Sequence, residues 1–313
     1  MDLTVVMYHY VRPIRDSRFP GIKGLERTDF FGQLDYIERH YQVVRVEDVL
    51  KHSRDGSALP ANPLLLTFDD GYKDHAQHVF PELSRRRMSG VFFPPARAVL
   101  KREMLDVNKI HYVLASCTNP LVIVRFLDAE IEKARQDNSE MRSIDELRQE
   151  YFVANRFDSP EVNYIKRLLQ VALPKALRTR LADTLFREYV SADSAGFADE
   201  IYLNQEDLAR MIDGGMEIGS HGNHHDWMNQ LPRNDQSQDL DASLEFLAGL
   251  GLSKEGFIYC YPYGAYNSTT LELLRERHCS CAFTTKFGVF GLEPGKSLLE
   301  ISRLDTNDLP KHL

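Results

Sequence analysis

Residues 64–74 read LLLTFDDGYKD. A leucine run continuing into Thr67 and Phe68 has the length and apolar continuity of a strand buried on both faces. It stops at Asp69-Asp70-Gly71, a turn-forming triplet. Two carboxylates at the exit of a buried strand admit two readings. They open a turn and cap the helix behind it, or they are half of a site completed elsewhere. Neighbouring residues at a strand end point differently, so one carboxylate can bind a metal while the other faces a substrate as a base.

Similar runs recur at 3–8, 43–46, 91–93, 216–220, 257–261, 282–285 and 298–304. Several are β-branched or aromatic and end in Gly, Pro, Asp or His, as buried strands do. Amphipathic stretches separate them. Phe30, Phe31, Leu34 and Ile37 keep a helical period behind Thr28; Leu208, Met211 and Ile212 do so behind Asn204, with Gly214-Gly215 as a stop. Leu240, Leu244 and Leu247, then Leu271 and Leu274, mark two more helices. This alternation predicts a mostly parallel sheet, either doubly wound or closed. Seven or eight strands favour a distorted (β/α)7–8 barrel of TIM type, whose site lies at the C-terminal strand ends. Residues 97–203 break the alternation and read as helices without strands. We expect one domain over 1–313 with this helical insertion inside it, either an embedded subdomain or an excursion over the site.

The 313 residues carry 43% hydrophobic and 27% charged side chains and a net charge of −8, which argues against sequence-independent nucleic-acid binding. No run approaches the roughly 18 apolar residues of a membrane span. The start, MDLTVVMYHYVRP, has no basic segment followed by a long apolar one, so a cytoplasmic location is expected, with peripheral contact at the inner membrane left open. Cys117, Cys260, Cys279 and Cys281 form no CxxC pair and are expected to be reduced. The oligomeric state is not legible.

If the barrel holds, the polar residues at the strand ends converge: His9, then Asp69 and Asp70, then His221, His224 and His225, then Tyr261, Pro262, Tyr263 and Gly264, then Arg303 and Asp305. In SHGNHHDW, His221 and His225 are four apart, so on a turn entering a helix two imidazoles can share a cation. One carboxylate completes a His₂Asp set with a coordination position left open. Zinc is the first candidate, cobalt and nickel the alternatives. The adjacent carboxylates can hardly flank a glycosidic bond at the ~5–9 Å a glycosidase needs.

LTFDDGY, EIGSHGNHH, YPYGAYN and AFTT together resemble the NodB-homology polysaccharide deacetylases (carbohydrate esterase family 4), over about residues 1–96 and 204–310. The resemblance implies Asp69 as catalytic base, Asp70, His221 and His225 as metal ligands, and His224 as a supporting or substrate residue. It implies that the backbone N–H of Tyr263, after Pro262, faces the oxyanion. Cys260 stands where the family often carries an arginine that holds the base, and no Leu-x-His motif follows near the C-terminus. Members with an N-terminal YH strand supply the general acid from that end, which transfers to His9. Arg303 would then orient Asp69, and Asp305 would pair with His9. Tyr8, Trp227, Tyr261 and Tyr263 are candidates to stack on sugar rings or to pack.

The implied reaction is hydrolysis of an N-acyl group, foremost N-acetyl, from a free, nucleotide-linked or lipid-linked amino sugar, in the making of surface polysaccharide or lipopolysaccharide. Deformylation or O-acetyl ester cleavage by the same groups is the nearest alternative. A catalytically silent glycan-binding protein is the alternative from another class.

Overall fold

The computed structural model describes residues 1–311. Seven parallel strands follow one another round a barrel. They are β1 Asp2–Tyr8, β2 Pro63–Asp69, β3 Val91–Phe93, β4 Glu217–Ile218, β5 Ile258–Cys260, β6 Cys281–Phe287 and β7 Ile301–Asp305. β7 pairs with β1, and an isolated parallel bridge between Ser220 and Tyr259 joins the β4 and β5 edges, so the ring closes. The fold is therefore the (β/α)7 form of the expected barrel. The run 43–46 is not a barrel strand: Gln42 and Val43 pair with the start of β2, and Val46 already begins a helix.

Period-two alternation sorts the strand residues. Val5, Leu65, Phe93, Cys260, Phe283 and Ile301 share one buried cluster, and the rings of Phe93 and Phe283 meet at 5.6 Å across the barrel. Their neighbours Val6, Leu66, Phe68, Phe92 and Tyr259 turn outward. There they pack against α1 (Arg27–His40) through Phe30, Leu34 and Ile37, and against α4 (Arg233–Gly249) through Leu240, Leu244 and Leu247. Full burial of each such side chain contributes roughly 1.5–3 kcal/mol. Between these helices lie α2 (Ala96–Lys101) and α3 (Gln205–Asp213), and α5 (Ser268–Glu276) follows. Asn204 caps α3 reciprocally: its side chain accepts from Asp207 N, and the Asp207 carboxylate accepts from Asn204 N. Along β2 the same alternation puts Thr67 and Asp69 on the inner side with Leu65.

A second compact unit comprises 16–23 and 104–197. It is helical, with Phe19 edge-on to Tyr112 and Phe197, and with Lys109 paired to Asp106 and Asp183. Its longer segment lies inside the expected 97–203, whose flanks are tied to the barrel, while 16–23 falls outside that range. Ala96 N and Arg97 N donate to Gly222 O and Asn223 O, and Leu203 N donates to Gly71 O. The four cysteines are free. No helix among the described residues is long and apolar enough to cross a membrane.

Candidate active site

The chain behind each strand end delivers the polar groups. Asp69 is the last residue of β2, and Asp70 follows it with φ of +70°. An L-residue in this region costs about 1–2 kcal/mol, which the surroundings must offset. The turn is held open for it by Gly71, whose φ is +65° and where a Cβ would come within 2.8 Å of Pro94 Cα. Asp70, His221 and His225 are all buried, and one ligand atom of each lies within 4.8 Å of the others. Asp70 Oδ1 is 3.1 Å from His225 Nε2 and 3.4 Å from His221 Nε2. Its other oxygen accepts from the Tyr72 hydroxyl.

The two histidines do not reach this point as helix neighbours at i and i+4. The segment 221–227 is irregular, and His225 is left-handed at φ of +59°. That backbone twist, not a helical repeat, swings the second imidazole towards Asp70. His221 Nδ1 donates to the Cys260 carbonyl at 2.8 Å, which turns Nε2 towards Asp70.

Whether these residues fit a cation can be tested on Asp70 Oδ1. It is buried and has no hydrogen-bond partner among the described residues, although an uncompensated buried carboxylate oxygen is costly. Burial opposes charge on His221, yet Cys260, Asp70 and Asp69 push its pKa well up, so the pocket demands positive charge. The donor set, two imidazole nitrogens and one carboxylate, suits zinc and leaves room for further ligands. The residues fit a divalent metal.

Asp69 faces the other way. Arg303 Nη1 and Nη2 donate to its two oxygens at 2.9 and 2.7 Å, a bidentate pair. Arg303 is itself fully buried, and its remaining donors go to Thr284 O, Thr67 Oγ1 and Cys260 Sγ. The Cys260 thiol, 3.5 Å from Asp69 Oδ1, is small enough to let the guanidinium pass. Burial alone would raise the Asp69 carboxyl, but the charge and hydrogen bonds of Arg303 outweigh it and bring the pKa down to about 2. His9 Nε2 lies 3.9 Å from Asp69 Oδ2, and its side chain is 40% exposed.

Tyr263 also has a left-handed backbone, at φ of +58°; its ring stacks on Trp227 at 4.8 Å and meets His225 edge-on at 4.6 Å. Asp70, His225 and Tyr263 thus place three of the seven left-handed non-glycine residues among the described ones in one site. Such strain gathers where geometry is functionally constrained.

Other expected members are not brought together with these. Tyr8 is buried between Phe30 and Phe68, and Tyr261 is buried with its hydroxyl donating to Leu299 O. Both are packing residues, and Pro262 is buried. Asp305 does not pair with His9. Its carboxylate caps the turn Thr306–Asp308, accepting from Asn307 N and Nδ2. His224 is turned out of the ligand cluster, with Nδ1 against Asp239 Oδ1 at 2.9 Å.

Two contributors escaped sequence reasoning. The hydroxyl of Tyr72, in the quoted stretch, orients Asp70. His75, in a π-helical turn His75–Val79, places Nε2 2.9 Å from the His9 carbonyl. Tyr72 was readable from its adjacency to the carboxylates; nothing in the sequence marks His75.

The sequence model for polysaccharide deacetylases matches residues 173–280. Over 79 residues, 25% of this chain, the sequence is 33% identical to the poly-beta-1,6-N-acetyl-D-glucosamine N-deacetylase of Escherichia coli strain K12. That match spans 12% of the relative's length. Among solved structures, IcaB from Ammonifex degensii superposes with a TM-score of 0.57 at 19% identity, covering 97% of this chain and 91% of that one. The deacetylase PplD of Streptococcus pyogenes, in complex with acetate, gives a TM-score of 0.56 at 15% identity, covering 97% and 92%. At these identities the structures establish the fold. Over residues 173–280 the sequence is similar to that of the polysaccharide deacetylases.

Proposed function

We propose that the chain is a metal-dependent hydrolase that removes an N-acyl group, foremost acetyl, from an amino sugar. The observation that carries this reading is the unbonded Asp70 Oδ1 facing two imidazole nitrogens, beside a separate, arginine-held carboxylate. Asp70, His221 and His225 would hold the metal. A divalent cation supplies Lewis-acid polarisation of the amide and a lowered pKa for water.

The chain's own residues do the rest. Asp69, kept ionised by Arg303, accepts a proton from the attacking water. The Tyr263 N–H faces the oxygen where negative charge develops, a preorganised donor worth about 3–4 kcal/mol. The amide nitrogen is a poor leaving group until protonated, and His9, beside Asp69 and open to solvent, gives it that proton. The Trp227–Tyr263 pair offers an aromatic wall for a pyranose ring.

The activity named for the Escherichia coli relative puts β-1,6-linked N-acetylglucosamine first among substrates to try, ahead of nucleotide-linked and lipid-linked sugars. The test combines metal analysis with measurement of released acid, acetate against formate. Asp69→Asn is expected to abolish release while keeping the metal, and His225→Ala to lose the metal. Near-normal turnover by Asp69→Asn would remove the base assignment. His9→Ala should cost less on a substrate with an activated leaving group, and an equal loss on both would remove the acid role.

A further inference from the structure

Asp239 lies on α4, outside every motif considered above. It is 4% exposed, in the buried face of the helix among Leu240, Leu244 and Leu247. Its carboxylate accepts from three donors, all in the segment that carries the two histidines. Asn223 N reaches Oδ2 at 2.9 Å, and His224 N and Nδ1 both reach Oδ1 at 2.9 Å. Four residues on, one turn of helix away, Ser243 is 1% exposed and its hydroxyl meets that of Ser220 at 2.8 Å. Ser220 in turn accepts from Gly222 N.

The opposite side of the segment is held as well. Ala96 N and Arg97 N donate to Gly222 O and Asn223 O, both at 3.1 Å. Arg97 Nη1 lies 3.3 Å from His224 Nε2. With Nδ1 on a carboxylate and Nε2 receiving a guanidinium, His224 is the Nδ1–H tautomer. Its ring is a tie between the two helices. At Gly222, φ is +70° and a Cβ would stand 2.7 Å from Asp239 Oδ2, so the approach is close enough to require glycine.

His225 follows immediately, in the left-handed backbone that turns its Nε2 towards Asp70. A non-glycine residue stays there only when its surroundings over-determine it, and the donors on Asp239 belong to the two residues preceding it. We propose that Asp239 is a positioning residue of the cation site, fixing the backbone of 222–224 and so the direction of His225. This rests on the reading of Asp70, His221 and His225 as metal ligands.

The test is Co2+ titration of the whole chain, read by its visible d–d bands and by chelator competition, with thermal melting in parallel. Asp239→Asn keeps the shape but removes the charge and one acceptor. It is expected to weaken Co2+ about 10–100-fold, the range for groups that orient ligands, and to shift the bands. A purely structural role would lower the melting temperature and leave the folded protein's affinity and spectrum unchanged, which overturns the proposal. Asp241→Asn, at the exposed surface of the same helix, should bind as wild type. Should Asp239→Asn not fold, Gly222→Ala drives a methyl against the same carboxylate, and wild-type affinity there also overturns it. Wild-type protein that binds no Co2+, or His225→Ala that binds it undiminished, removes the cation reading itself and this proposal with it.

Discussion

Asp69 and Arg303 set each other's charge. A carboxylate at the usual unfolded value near 3.9 is carried down to about 2 by the guanidinium, against the opposing effect of burial. Because the folded value lies below the unfolded one, the pair's stabilisation is complete above about pH 4 and fades as the pH falls towards 2. The amount lost is about 2–3 kcal/mol, readable by urea unfolding at successive pH values. Removing one partner strands the other, so Asp69→Asn and Arg303→Met should each cost about 3–5 kcal/mol. The double variant should cost clearly less than their sum, because neither charge then remains unpaired. In Arg303→Met alone the acid limb should weaken, because burial then opposes a charge that only His221 and His9 still favour. Additive losses and an unchanged acid limb would show that the pair is not coupled in solution.

At the scale of elements, the turn leaving β2 is the tightest constraint near the site. Gly71→Ala places a methyl within 2.8 Å of Pro94 Cα at φ of +65°. Both the backbone and the neighbour resist, so the loss should exceed the ~1 kcal/mol typical of such a change where only the conformation is unsuitable. Unfolding at fixed pH measures it, and a neutral result would mean that the exit of β2 relaxes freely. How far elements were legible follows from what each encodes. The run 91–93 is β3 residue for residue, because three fully buried apolar residues admit little else. The run 43–46 misled because Val46 is apolar in a helix start as in a strand. Asp70, His221 and His225 were legible as donor types at strand exits, but the left-handed turn that unites them was not. Asp305 could have been read correctly: Asp305 and Asp308 have capping-box spacing, and the Asp305 carboxylate caps its own turn through Oδ1. Asp239 was hidden because a buried aspartate between leucines looks like the solvated edge of an amphipathic helix.

At the scale of the whole barrel, closure is uneven. β1 and β2 share five paired positions, Thr4 to Tyr8 against Leu64 to Phe68. Among the described residues the β4–β5 seam has only the Ser220–Tyr259 bridge, made by Ser220 N to Ile258 O and Cys260 N to Ser220 O. Opening a ring costs least where fewest backbone bonds and packed side chains must part, so the seam should be the low-stability edge. Hydrogen exchange should therefore find the amides of Ser220 and Cys260 exchanging faster than those of Val5, Val6 and Leu66. His221 sits directly behind that seam and Asp70 behind β2, with β3 between them. A cation held by Asp70, His221 and His225 would tie the β4 end to the far side of β3, and opening the seam would release a ligand. Binding then stabilises by mass action, about 2.7 kcal/mol at a free metal concentration one hundred times Kd. Zn2+ should slow exchange at Ser220 and Cys260 more than at Val5, and His225→Ala should abolish that difference. Equal protection of all five amides before metal is added would refute the seam. A zinc effect spread evenly over the barrel would refute the tie across it.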